Sequence, residues 1–245
     1  MLSIQGEFPD NSAAGCSAFP IALGDGVRSV TAATYPDAAD FDYPAAPPAY
    51  GSFPSHLDDA SLPTAVSGTL YQLNNGFGSS DFGWLVWNEG IAADATTLAN
   101  SLTWPGNSTD YVDHGDAGTA VPDSGFSNVV RGYIEPSDPT DQTLHNFDWI
   151  AASTGSISAT EVTEALNAHI DLGRILRLPI WDSNDGSGAN GRYQTSQFGL
   201  FRLIGYSISD SWLLLEYVAD DTSCGQAPQP PSPADSLLYL PIVAK

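Results

Sequence analysis

A chain of 245 residues with 42% hydrophobic side chains can bury one large core, which excludes global disorder. Its 29 Asp and Glu against 7 Lys and Arg leave a formal charge of −22, which disfavours nucleic acid and anionic membrane surfaces as partners. The 18 prolines and 23 glycines favour many short elements joined by turns over a helical bundle.

Residues 19–23 read as a short strand, with Pro20 at its start or marking a sheet edge. Residues 31–65 are rich in Pro, Ala and Asp, with aromatics at Tyr35, Phe41, Tyr43, Tyr50 and Phe53 and little periodicity. They are expected to form a long irregular insertion, either packed on the surface through those aromatics or reaching a neighbouring molecule as an arm. Strand pattern returns in GTLYQLNN, ending in an Asn-Asn-Gly turn, and in DFGWLVWN. Residues 92–102 predict a helix with Asp94 as N-cap and Leu98 and Leu102 on one face. Residues 103–146 are polar and read as loops; they include Asn107-Ser108-Thr109, a glycosylation sequon by pattern.

HNFDWIAASTG then repeats the F-x-W-aliphatic pattern of DFGWLVWN, again leading through a Gly turn to a helix. A capping box of Ser158 and Glu161 starts that helix, Val162, Leu166 and Ile170 give its apolar face, and Gly173 is placed to end it. Three apolar runs follow at 174–181, 197–206 and 211–218, a strand meander at the centre of the core, with turn chemistry over 182–191. Residues 225–236 form a Pro-rich linker. Beyond it an apolar tail, Leu237, Leu238, Tyr239, Leu240, Pro241, Ile242, Val243, Ala244, is strand-like. Such a tail can fold back, add to a sheet edge of another subunit, or act as an anchoring signal. The expected organisation is a single β-rich domain over 1–224, the linker, and the tail over 237–245. The expected fold class is mainly β, a sandwich or barrel-like domain with two short helices.

Single residues exclude several chemistries. The only lysine is Lys245, which removes a Schiff-base lysine, a phosphate-loop lysine and an internal Lys–Asn crosslink. The two cysteines, Cys16 and Cys224, show no metal spacing; they either close most of the chain into one disulfide loop or remain free thiols. The four histidines, His56, His114, His145 and His169, form no metal pair, and no nucleophile elbow or phosphate loop is present. Asp182, Asn184 and Asp185 offer oxygens of the kind Ca²⁺ takes, without EF-hand spacing; a plain acidic turn is the favoured reading and no other cofactor is expected. Trp84, Trp87, Trp149, Trp181 and Trp212 each sit in an apolar run and read as core rather than a glycan platform. No run is apolar and long enough to span a membrane, and MLSIQGEFPD lacks the marks of a leader peptide, as expected of a mature or processed chain.

Several of these segments, in order, resemble one family. CSAFPIAL, SSDFGWLVWN, SLTWPGNS, NFDWI, the capped helix and LRLPIWDSNDGSGANGRYQTSQFGLFRLIGY are similar to the extracytoplasmic region of TadG-like proteins, associated with tight-adherence (Flp-type) pilus assembly in bacteria. The matching positions are 81–85, Asp148, Trp149, Asp182, Gly186, Gly188, Asn190, Tyr193, Phe198, Phe201, Gly205 and Tyr206. The resemblance covers roughly residues 12–24 and 66–220. It implies a location at the bacterial cell surface or exterior more than a mechanism. The expected function is therefore an extracellular structural subunit, of pilus or filament type, associating with copies of itself or with envelope proteins. An adhesin or glycan-binding module using the aromatics of 35–53 is the alternative, and a secreted hydrolase a second one; an enzyme is not expected.

Overall fold

The computed structural model describes residues 18–53, 55–86, 94–102, 104, 121–123, 126–129, 133–135, 146, 149–153, 158–188 and 191–222. Ten strands and two helices follow one another: β1 (Ile21–Gly24), β2 (Leu70–Asn74), β3 (Phe82–Val86), α1 (Ala95–Ser101), β4 (Val121–Asp123), β5 (Phe126–Val129), β6 (Tyr133–Glu135), β7 (Trp149–Ala152), α2 (Thr160–Asp171), β8 (Ile175–Asp185), β9 (Arg192–Ser207) and β10 (Trp212–Asp220). The protein is mainly β, as its composition predicts.

Eight strands form one sheet in the order β2-β10-β9-β8-β1-β3-β7-β6, and a further pairing of β7 with β9 closes β9-β8-β1-β3-β7 into a five-stranded barrel. All ladders in the ring are antiparallel except β1 with β8, where Leu23 pairs with Ile180. The long strand β9 makes the closure possible. Its C-terminal half pairs with β10 and its first residues pair with β7, and register shifts interrupt its ladders with β8 and β10. Bulges of this kind bend and twist a strand, so that one strand can serve two neighbours along its length.

β1 and β3 are buried on both faces, which is why they read as unbroken apolar runs instead of alternating. On the outer face Ile21, Leu23, Phe82, Trp84, Leu176, Leu178 and Ile180 meet Leu98 and Leu102 of α1 and Val162 and Leu166 of α2. On the inner face Ala22, Leu85, Ile150, Ala152, Trp181, Tyr193 and Phe198, drawn from all five strands, fill the ring. A five-stranded ring is narrow. Small residues therefore face the large ones: a Cβ on Gly83 would lie 2.0 Å from the Tyr193 hydroxyl. Phe77 stacks on the Tyr193 ring at 5.1 Å and helps close one end.

The stretch from Val30 to Phe53 covers the opposite face of β2, β10 and the C-terminal half of β9, while Leu62 turns back into the helix-side cluster. Phe41 sits edge-on to Trp212 at 5.0 Å, and Val30, Leu70, Ile204 and Leu214 complete that cluster with Tyr35, Tyr50 and Phe53. Backbone bonds between Tyr43 and Tyr206 fasten the segment to β9, where Gly205 leaves room for the Phe41 ring. Of the two roles open to this insertion, packing on its own sheet is the one observed for these residues.

The helices follow their signals with one shift. Asp94 caps α1, its Oδ1 accepting the Thr97 N–H at 2.8 Å. In α2 the N-cap is Ala159, with no side-chain cap bond, so the Ser158–Glu161 capping box does not start the helix. At the other end Gly173 adopts φ +55, and the N–H groups of Gly173 and Arg174 donate to the Ile170 and His169 carbonyls, a Schellman closure. Space around Gly173 is open, with Arg202 Nε the nearest atom at 4.0 Å from an added Cβ. Gly173→Ala is accordingly expected to cost about 1 kcal/mol in a urea titration, from backbone conformation alone. An unchanged midpoint would show that this turn relaxes freely.

Two sequence expectations are corrected. The turn expected over 182–191 begins later, because β8 continues through Asp185 opposite Arg192. Residues 103–146, expected as loops, contain β4, β5 and β6, with β6 pairing β7 at the end of the sheet. Pro20 marks a strand start, not an edge, since β1 lies between β8 and β3.

Candidate functional site

Three polar groupings stand out from the apolar body. The first lies on the insertion. Tyr50 donates its hydroxyl to Asp58, and the His56 ring meets the Tyr50 ring edge-on at 4.4 Å. His56 Nδ1 lies 3.2 Å from the Phe53 carbonyl, and Nε2 is 3.9 Å from Asp58. Burial, then the bond to Asp58, pushes the Tyr50 hydroxyl up to about 12, which keeps it a neutral donor. Beside it Arg28 Nε donates to Asp59 at 2.8 Å; that bond raises Arg28 and holds Asp59 below the ordinary carboxylate value. The partners satisfy one another and tie 56–61 to 28–30, where Ser29 Oγ also donates to the Leu57 carbonyl and accepts the Ala60 N–H. This is the chemistry of a braced loop.

The second grouping is the β8–β9 hairpin. Asp182, Asn184 and Asp185 are all exposed there. Asn184 Nδ2 donates to the Phe77 carbonyl at 2.7 Å. Arg192 Nη2 donates to Asp185 Oδ2 at 2.8 Å, and that bond lowers the Asp185 carboxyl below its ordinary value. Of the three oxygen donors considered for Ca²⁺, Asp185 is engaged through both carboxylate oxygens, by the Gly186 N–H and by Arg192. Among the described residues no group of three His, Cys, Asp or Glu side chains is placed to hold a metal ion.

The third grouping is buried. Arg177 on β8 is 4% exposed and its Nε donates to Asp221 Oδ2; Asp221, one residue past β10, is 9% exposed. Arg177 shares the parity of Trp181 along β8 and so belongs to the inner face. The backbone there binds both ends of the domain. The Phe19 N–H donates to the Arg177 carbonyl at 2.9 Å, and the Asp221 N–H donates to the Phe198 carbonyl at 3.0 Å. Ala18 packs in the same cluster as Phe198. The residues just before β1 and just after β10 are thus joined through two shared neighbours, Arg177 and Phe198.

No protein-family model, curated protein or solved structure matches this chain. Its function is therefore argued from its own residues.

Of the residues singled out from the sequence, Cys16, Cys224 and the tail Leu237, Leu238, Tyr239, Leu240, Ile242 and Val243 lie outside the described residues, as do Trp87, His114, His145 and the Asn107 sequon. Trp84, Trp181 and Trp212 are buried and Trp149 is half-buried under Arg192, 5.6 Å from its ring centre. The aromatics at 35, 41, 50 and 53 pack against the sheet, Phe41 buried and Tyr35, Tyr50 and Phe53 half-buried. The described motif residues of the TadG-like pattern are explained by packing and backbone: Gly186 and Gly188 have φ +71 and +57, Tyr193 and Phe198 fill the barrel, and the Tyr206 hydroxyl donates to Asn167 at 2.8 Å. Arg177 with Asp221 was missed. Its one sequence signal is an arginine inside the apolar run LRLPIW, which a core accepts only with a counter-charge.

Proposed function

We propose that this protein is an extracellular subunit of a bacterial surface assembly, of the TadG-like, tight-adherence kind, joined to its neighbours through its C-terminal segment. One observation supports the reading. Among the described residues the barrel is closed and both faces of the sheet are packed, with the helices on one side and Val30, Tyr35, Phe41, Tyr50 and Phe53 on the other. In the sequence the apolar tail over 237–245 is set off from that body by the proline-rich segment 225–236, which suits a role in contacts between subunits. Strand addition is the fitting mode, because a short apolar segment gains main-chain hydrogen bonds at a sheet edge and side-chain burial beside it. Among the described residues β2 and β6 end the sheet order and supply such edges. The Val30 N–H already bonds the Leu70 carbonyl on β2, which favours β6.

Among the described residues no helix is long and apolar enough to cross a membrane. The charge of −22 gives copies a mutual repulsion that a specific strand contact must overcome, so association should strengthen with salt. Deletion of 226–245 tests the proposal. The expected result is a folded monomer, with unchanged circular dichroism, that no longer assembles in sedimentation and electron microscopy. Assembly of the truncated chain at the full-length yield would overturn it.

A further inference from the structure

Four large apolar side chains stand exposed among the described residues: Leu57, Val66, Trp104 and Leu172. They fall into two groups with opposite charges beside them. Trp104 and Leu172 lie at one end of the helix layer, where the bond from His169 Nε2 to the Leu102 carbonyl sets the C-termini of α1 and α2 side by side. Arg174, two residues past Leu172, holds its guanidinium 5.2 Å from the centre of the Trp104 ring. Of the arginines among the described residues, Arg28, Arg177, Arg192 and Arg202 each hold a carboxylate, whereas Arg174 has none within ion-pair distance. Leu57 and Val66 lie at the end of the insertion. The backbone of Gly68 sits against Ser55 and His56, an added Cβ falling 3.4 Å from the Ser55 nitrogen, so the turn that carries Val66 is beside the loop that carries Leu57. Next to Leu57, the Asp58 carboxylate is 59% exposed; it accepts from the neutral Tyr50 hydroxyl, and His56 Nε2 is 3.9 Å away.

We infer that these two patches are the halves of one contact between copies of this chain, in which Trp104, Leu172 and Arg174 of one copy dock on Leu57, Val66 and Asp58 of the next. In a chain of charge −22 almost any approach of two copies sets acid against acid. A stable contact forms where a cation that holds no carboxylate meets a carboxylate that no arginine holds. Arg174 and Asp58 are such a pair, and each is flanked by exposed apolar side chains that docking would dehydrate along with it. Trp and Arg are enriched at the energetic centres of interfaces. The Trp104 ring already positions the Arg174 guanidinium, which lowers the cost of ordering it on docking. Among the described residues no hydrogen bond, ion pair or ring contact joins the two patches within one chain, so neither satisfies the other in the monomer. The contact uses two different surfaces. It is therefore heterologous, and it propagates head to tail into a ring or a filament. It rests on the reading of the protein as an assembly subunit and adds to that reading a joint that does not use the C-terminal tail.

Sedimentation of the full-length chain tests the joint by exchanging its two charges. Arg174→Glu and Asp58→Arg are each expected to raise the concentration at half-assembly by about tenfold, because each sets like charges opposite one another. In Asp58→Arg the Tyr50 hydroxyl keeps the Val30 carbonyl, 3.3 Å away, as its acceptor. An equimolar mixture of the two variants should assemble at the native concentration, since every joint then sets opposite charges at position 174 of one copy and position 58 of the next. That recovery also shows that both variants are folded. Leu172→Ser, at a position 64% exposed, should weaken assembly with no change of charge. Unchanged half-assembly in the single variants would assign the patches to other partners and overturn the inference, as would a mixture no better than its components. The outcomes separate this joint from the tail. If loss of 226–245 abolishes assembly while Arg174→Glu leaves it intact, the tail reading stands and this one falls. If the charge variants fail alone and recover on mixing while the truncated chain assembles fully, the reverse holds. A full-length chain that stays monomeric at its highest soluble concentration overturns both.

Discussion

Acidification from pH 7 to about 4.5 is expected to remove about 2–3 kcal/mol of folding stability through His169 alone. His169 is 1% exposed in the last turn of α2, edge-on to Phe19 at 5.0 Å, with Nε2 2.6 Å from the Leu102 carbonyl at the end of α1. Nε2 therefore carries the proton and donates. Nδ1 is buried with no hydrogen-bond partner among the described residues, so a second proton would have nowhere to bond. Burial lowers the ring to about 4 from 6.5, against the opposing effect of the Leu102 bond and with help from the Arg174 charge. Between 6.5 and 4 the unfolded chain binds a proton that the folded chain refuses, so the stability is fully present above about pH 6.5 and declines as the pH falls toward 4. Asp59, Asp94 and Asp185, lowered by Arg28, by Thr97 and by Arg192, act in the same direction but only below about pH 4. Urea midpoints at pH 7, 5.5 and 4.5 should fall for the native chain and stay nearly level for His169→Gln. A ring titrating near 6.5 by NMR in the folded chain, or equal slopes in both proteins, would rule this out. Because His169 joins α1, α2 and Phe19, the loss should begin at the helix layer and leave the barrel ladders for last.

The central meander was legible in the sequence because its signals are local. The runs at 174–181, 197–206 and 211–218 are β8, the later part of β9 and β10, and Asp94 and Gly173 cap the helices where their chemistry places them. Tertiary pairing decided what the sequence did not show. β9 starts at Arg192 because its polar first residues gain ladder bonds to β8 and β7, and these are invisible to a search for apolar runs. β8 runs on through exposed Asp182 and Asp185 for the same reason. Barrel closure rests on pairings between residues far apart in the chain, such as Leu23 with Ile180 and Ile150 with Tyr193, which no periodicity encodes. The repeated F-x-W pattern does lead into a strand followed by a helix both times, and β3 pairs with β7. The two tryptophans are used differently, however: Trp84 packs under the helices, whereas Trp149 is half-buried beside Val86 and Ala151. The aromatics of the insertion were visible, but the sheet face that receives them was not. The candidate site was least legible, since Arg177 and Asp221 are 44 positions apart and meet only once β8, β9 and β10 have paired.

Removing one member of that pair is expected to be the most damaging single change in the barrel. Asp221→Ala should cost about 3–5 kcal/mol, because it takes the counter-charge from a guanidinium buried to 4% exposure. Arg177→Met should cost a similar amount by removing the cation paired with Asp221, with some of its stem packing retained. The double variant Arg177→Met with Asp221→Leu is expected to recover much of the loss, since an apolar pair of similar volume removes both desolvation penalties at once. Urea titrations of the four proteins form a double-mutant cycle, and a coupling of at least about 2 kcal/mol would show that the residues act as a unit. Additive single effects would mean that each charge is satisfied elsewhere and that the pair does not hold the ends together. The location makes the result informative beyond stability. Phe19 hangs on the Arg177 carbonyl and β10 ends at Asp221, so losing the ion pair frees the end of β10 while leaving the backbone bond to Phe19 in place. Hydrogen exchange should then quicken at the β10 end, around residues 219–222, before it quickens at β1. The reverse order would place the weak point of the barrel at its first strand.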